Sequence, residues 1–299
     1  MTRRRARVAI LGGALAATAC GVERGPRPAA ANPERIVVMA PAAAEMLESL
    51  GALDRVVGVG DFVREPRAIA RLPRVGAYDA PSVERVLDLG ADALVTSASD
   101  AAAPAHGRLE ALGVRVLALD TSTYDGVFTS LAVLGRELGC EAQARSVERR
   151  IREELDAIAA QASPLEPRRV LVVVGRDPLH VAGPGSHIDR MIALAGGANV
   201  AAGPLAPYPR LSLEAILEAR PEVIVDAADN GPDVVRGRRP GAWSRWPSLP
   251  AVRDDRVFSV EPDRLVIPGI RLPEMTRLMA RLIHPEVFGE PAPAELAAR

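Results

Sequence analysis

The 299-residue chain contains no lysine; all 37 of its basic residues are arginine. That excludes a P-loop lysine, a Schiff-base lysine and an SxxK nucleophile, and with them much nucleotide and covalent chemistry. Aromatic residues make up only 3% of the chain and its net charge is −1. A nucleic-acid partner is therefore not expected, because such surfaces need basic faces and stacking rings. Two cysteines, Cys20 and Cys140, cannot form a disulfide framework or a cysteine-rich zinc site. The four histidines show neither HExxH nor HxH spacing, so no protein-only metal centre is expected. What is present is an ordinary globular balance, 48% hydrophobic and 25% charged. The length suits about two domains of ~100–200 residues each.

The first residues stand apart from the rest. Arg3, Arg4, Arg5 and Arg7 precede the apolar run Val8–Ala19, whose twelve residues fall short of the ~20 a membrane span needs. This is the layout of a secretory signal. Its ending, Ala17-Thr-Ala-Cys20, resembles a bacterial lipobox, which implies that Cys20 is lipidated and becomes the mature N-terminus. Residues 1–19 are then the lipoprotein signal peptide and 20–34 a lipidated tether. Their removal leaves 33 basic against 38 acidic residues, a net charge of −5. The expected location is outside the cytoplasm, lipid-anchored on the outer face of the cytoplasmic membrane or in the periplasm. Cys140 reads as a small buried residue.

Beyond the tether, short apolar strands alternate with helical stretches, the pattern of parallel βα units. Arg35–Ala40, Val56–Val59, Ala93–Thr96 and Val114–Leu119 are strands, with helices over 42–50, 83–89 and around 108–112. The second half repeats the plan, with strands at 169–174, 223–225 and 256–260 and helices at 188–195 and 213–219. Pro81–Val95 aligns without a gap on Leu211–Val225. Between the halves, residues 141–162 hold no glycine or proline, and Val147, Ile151, Leu155 and Ile158 form a helical apolar stripe. Pairs such as Glu148–Arg152 and Arg149–Glu153 add a few tenths of a kcal/mol each. A ~20-residue helix is about 30 Å long, so the connection is a strut. The expected fold is α/β: two similar parallel-sheet βα lobes, 35–140 and 164–288, joined by one long backbone helix, 141–163, with a ligand cleft between them and a tail at 289–299.

Arg35-Ile-Val-Val-Met-Ala-Pro-Ala-Ala-Ala-Glu45, Ser82–Val95, Leu109–Val116 and Gly183-Pro-Gly-Ser-His through Asn199 occur in a characteristic order. With the signal, the two lobes and the strut, the chain resembles the class III substrate-binding proteins of bacterial ABC importers. The likeness is greatest to their cobalamin-binding branch, whose relatives also take iron–siderophores and haem. It runs from about Arg35 to Pro285. The resemblance implies reversible capture of a corrinoid, an iron–siderophore or a haem, and delivery to a permease with its cytoplasmic ATPase. It implies no catalysis, no cofactor and a monomer. An exported two-domain hydrolase is the reading from another class, though no GxSxG elbow occurs.

Ligands of open α/β sheets sit beyond the carboxyl ends of the strands. Here those are the loops 60–66 and 76–80 of one lobe and 176–187, 206–210 and 261–268 of the other. Phe62, Tyr78 and Tyr208 lie in them, and rings of this kind suit a flat macrocycle. By resemblance, Tyr78 and Tyr208 stand where cobalamin binders carry tryptophans. Asp263 and Arg264 are candidate polar contacts. Arg67, Arg71, Arg74, Arg176 and Arg271 are cations that an anionic chelate would need. His180 and His187 are candidate axial ligands to a metal held in the bound ligand. Ser82 and Ser212 are N-caps that place Glu84 and Glu214 in the first turns of equivalent helices, where an acid ordinarily complements the helix dipole. By resemblance these two glutamates dock on permease arginines.

Overall fold

The computed structural model describes residues 32–99, 103–201, 206–228, 237–238, 241–262, 265–267 and 269–296. The expected signal peptide and Cys20 lie outside these. Among the described residues no helix is long and apolar enough to cross a membrane.

The N-terminal lobe runs β1 (Ile36–Val38), α1 (Pro41–Ser49), β2 (Val56–Val59), the short pair β3 (Gly76–Ala77) and β4 (Ala80–Pro81), α2 (Val83–Asp88), β5 (Ala93–Ser97), α3 (Pro104–Ala111), β6 (Arg115–Leu119) and α4 (Tyr124–Leu138). Four strands form a parallel sheet in the order β2-β1-β5-β6. The strands are short and apolar because helices cover both faces of the sheet. Val37, Met39 and Leu94 pack under α2 and α3, whereas Ile36, Val38 and Val95 face α1 and α4.

The strut is α5 (Glu141–Ala162), and it buries Ala144, Val147, Ile151, Leu155, Ile158 and Ala162. The sequence stripe is therefore the contact face. Each fully buried Ile or Leu contributes roughly 1.5–3 kcal/mol. Helix α4 comes very close to the strut: a Cβ on Gly135 would stand 2.6 Å from the Ala144 Cβ, so only glycine fits there. One hydrophobic core continues from α1 and α4 through α5 into the second lobe.

The C-terminal lobe runs β7 (Arg168–Arg176), β8 (Leu179–Val181), α6 (His187–Leu194), β9 (Gly197–Asn199), α7 (Leu213–Ala219), β10 (Val223–Asp226), β11 (Gly237–Arg238), α8 (Pro250–Arg253), β12 (Val257–Ser259), α9 (Leu272–Ile283), α10 (Pro285–Phe288) and α11 (Pro293–Leu296). Strands β12, β10, β7 and β9 are parallel, as expected, while β8 and β11 add antiparallel edges. The segment read as a tail carries α11, whose Leu296 is buried and whose Glu295 pairs with Arg281 at 2.8 Å. Helices α4 and α9 are absent from the sequence reading, yet both line the core.

Candidate functional site

A cleft of about 910 Å³ opens between the lobes. Its first wall is one side of α1, with Pro41, Glu45 and Glu48, followed by the loop from Phe62 to Ala68. Its second wall is Ile267, Ile270 and the start of α9, with Arg271 and Glu274. These are the carboxyl ends of β1, β2 and β12, where parallel sheets present their ligand sites.

Phe62 lines the cleft, and Tyr78 packs against it in a tilted arrangement, with ring centroids 5.3 Å apart at 49°. The two rings are 51% and 44% exposed, an apolar surface left partly open among the described residues. Tyr208 is placed differently. It is half-buried against the main core, and its hydroxyl lies 3.3 Å from His187 Nδ1. The loop carrying it presses on the Gly183 turn so closely that a Cβ there would meet Pro209 Cδ at 2.5 Å. Burial pushes the Tyr208 hydroxyl up to about 12. Asp263 and Arg264 lie outside the described residues.

His187 is fully buried at the first position of α6. Its Nε2 lies 2.9 Å from the Leu265 carbonyl, which can only accept, so Nε2 carries a proton, and Nδ1 lies 3.3 Å from the Tyr208 hydroxyl. Burial lowers its pKa, against opposing hydrogen bonds to the backbone of Leu265 and of Ser122 in the other lobe. Both ring nitrogens thus have hydrogen-bond partners within the chain. His180 is half-buried, with Nδ1 3.3 Å from the Tyr208 carbonyl. Among the described residues no group of three or more His, Cys, Asp or Glu could hold a metal ion.

The arginines considered for an anionic ligand divide by what they already do. Arg74 pins the cleft loop, donating from Nη1 to the carbonyls of Gly60 and Val63 at 2.6 Å each and from Nη2 to Ala70 at 2.9 Å. Arg176 is held by buried Asp226 at 2.6 Å. Arg271 pairs across the cleft with Glu45 at 2.9 Å. Arg67 and Arg71 are exposed, and Arg67 lies 3.7 Å from Glu65. The lining holds three arginines (Arg64, Arg67, Arg271) against four glutamates (Glu45, Glu48, Glu65, Glu274), so it is nearly balanced in charge. Sequence reasoning missed the part Glu45 plays. The available signal was a carboxylate inside an apolar run, flanked by Ala42, Ala43, Ala44, Met46 and Leu47, all buried.

The glutamates read as docking points occupy matching places. Ser82 Oγ accepts from the Arg85 N–H at 3.3 Å, and Ser212 Oγ accepts from the Ala215 N–H at 3.2 Å. Glu84 and Glu214 follow as the second residues of α2 and α7, and both are exposed. Hydrogen bonds from its own backbone N–H and from Ser212 lower the pKa of Glu214.

Residues 36–263 match the periplasmic binding protein family. An ABC transporter substrate-binding lipoprotein of Bacillus subtilis, YvrC, is 28% identical over 87% of this chain and 82% of its own length. A vitamin B12-binding protein of Vibrio parahaemolyticus is 26% identical over 80% of this chain and 85% of its own. Among solved structures, a periplasmic haem-binding protein from Pseudomonas aeruginosa superposes with a TM-score of 0.72 at 28% identity, over 85% of this chain and 94% of that one. With two βα lobes, a helical strut and a cleft at the strand ends, the chain belongs to the periplasmic binding protein family, in the type that serves ABC transporters.

Proposed function

We propose that the chain captures a corrinoid between its lobes and delivers it to the permease of an ABC importer, making and breaking no covalent bond. The observation that carries this reading is the exposed Phe62–Tyr78 pair beside a cleft nearly balanced in charge. A flat macrocycle fringed with amides gains from aromatic contact area and needs few cations. The vitamin B12-binding relative supports the same ligand class. Glu84 and Glu214, one on each lobe, are the docking points; two exposed charges set orientation more than affinity. Cys20 is the lipid anchor of the exported chain, as the lipobox-like sequence and the lipoprotein relative suggest.

A second reading is haem capture, favoured by the 28% identity to the haem-binding structure. The test is calorimetric titration with cobalamin, cobinamide, haem and a ferric siderophore, with visible spectra alongside. The expected result is one-to-one corrinoid binding, weakened about tenfold by Phe62→Ala or Tyr78→Ala, as for a ring that anchors an interface. Haem or siderophore binding instead would keep the capture role and replace the ligand. Silence with all four, together with turnover of an ester or glycoside, would move the chain to the exported hydrolases.

A further inference from the structure

Two helix starts and an arginine meet in the cleft. Helices α1 and α9 both begin there, and neither has a side-chain cap. The macrodipole gives each helix start a partial positive charge. Arg271, at the cap position of α9, adds a full one. Together these features make a place for a carboxylate, and one is already there. Glu45 reaches across from the other lobe, with Oε1 2.9 Å and Oε2 3.1 Å from Arg271 Nε. The backbone before α9 closes over it: a Cβ on Gly269 would stand 3.5 Å from Glu45 Oε2 and 3.6 Å from the Ala42 Cβ. Burial raises the Glu45 pKa, Arg271 opposes that, and Glu274 and Glu48 add to it. The chain thus keeps a half-buried carboxylate where a ligand anion would otherwise land.

We propose that Glu45 is a specificity determinant of the cleft: by filling the carboxylate position opposite Arg271, it turns the cleft away from anionic ligands. The inference rests on the cleft being the ligand site. Glu45 acts through Arg271 and is a positioning residue, so its signature is a change of preference between ligands rather than a general loss of binding.

The test compares two macrocyclic probes that differ in charge. Cyanocobalamin carries no net charge, and ferric protoporphyrin IX carries two carboxylates. Glu45→Gln keeps the side-chain shape and leaves Arg271 without that carboxylate. It should tighten protoporphyrin binding about tenfold, the size of one charge-assisted hydrogen bond, and leave cobalamin within about twofold. Glu48→Gln removes the same charge from the same wall at an exposed position, and should change protoporphyrin binding by about twofold or less. The double variant Glu45→Gln/Arg271→Gln should lose the gain, and thermal melts of all three variants verify folding. Unchanged protoporphyrin affinity in Glu45→Gln, an equal gain in Glu48→Gln, or a gain that survives in the double variant would each overturn the proposal. Each ratio is taken against the unsubstituted chain with the same probe. A chain that ignores cobalamin therefore sinks the corrinoid reading and still decides this one.

Discussion

In the N-terminal lobe, Asp92 accepts the main-chain N–H groups of Glu34 and Arg35 at 3.0 Å each, and the Arg35 guanidinium reaches back to the Leu89 carbonyl at 2.7 Å. In the C-terminal lobe, Glu222 accepts the Arg169 N–H at 2.8 Å, and Arg169 reaches back to the Arg220 carbonyl at 3.0 Å. The same circuit ties the first strand of each lobe to the end of the helix before its neighbour. The lobes part company one residue beyond the repeated segment, where β5 carries Thr96 and β10 carries Asp226. Asp226 is buried and accepts from Arg176 at 2.6 Å and from Trp243 Nε1 at 2.7 Å. Thr96 is equally buried, and its hydroxyl has no hydrogen-bond partner among the described residues. Each lobe thus finishes a common frame with its own polar core.

This difference supports the largest predicted effect. Asp226→Ala should cost ~2–4 kcal/mol in chemical denaturation, because it strands the Trp243 N–H and the Arg176 charge. Thr96→Val should be neutral or stabilising by up to about 1 kcal/mol, since it removes an unpaired buried hydroxyl at constant shape. Equal losses at the two positions would mean that Thr96 has a bonding role the fold does not display, and the contrast would be lost.

The lobes also finish their long helices with arginine, one in the first lobe and two in the second. Arg55 donates to the Leu138 carbonyl at the end of α4 at 3.1 Å. At the end of α9 the Ile283 carbonyl receives both Arg168 and Arg256. Two guanidinium groups on one carbonyl need an anion, and Glu286 supplies it, 3.0 Å from Arg168 and 3.1 Å from His284 Nδ1. Burial alone would raise the Glu286 pKa; its own backbone N–H, Arg168 and His284 outweigh that and bring it to about 2. A carboxylate depressed below its usual 4.5 contributes stability that is complete above that pH and lost as pH falls towards 2. Glu286→Gln should therefore cost about 1 kcal/mol or less at pH 7, the side chain being half exposed and screened. The gap from the unsubstituted chain should close near pH 2 in urea titrations. A constant gap across that range would leave the second cap without its electrostatic basis.

How far the sequence went follows from what each signal measures. The strut and the repeated helix–strand segments were legible because burial imposes an unbroken period on them: Val147, Ile151, Leu155 and Ile158 all face the core. Helix α4 was obscured by Gly126 and Gly135, which weaken a helical pattern and are there for close contacts. The antiparallel edges β8 and β11 are two or three residues long and carry no period of their own. At the site, Phe62 and Tyr78 could be found because loop aromatics are rare in this chain. The pairing of Glu45 with Arg271 could not, since it joins residues on opposite lobes, 226 apart in sequence.

The smallest effect tests the equivalence of the two repeats at a single backbone position. Gly90 and Arg220 align in the repeat, and both close their helices in the left-handed region, at φ +61° and +48°. That conformation suits glycine and costs other residues about 1 kcal/mol. Gly90→Arg should therefore destabilise by about 1 kcal/mol, with its Cβ also 3.4 Å from Arg35 Nε. Arg220→Gly relieves the same strain but loosens the unfolded chain, so the net gain should be only about 0.5 kcal/mol. Opposite signs in denaturant titrations would show that one backbone design serves both lobes and that the second carries it with a less suitable residue. If Arg220→Gly instead lost as much as Gly90→Arg, the Arg220 side chain would be holding structure in place, and the two helix ends would match in conformation without matching in energetics.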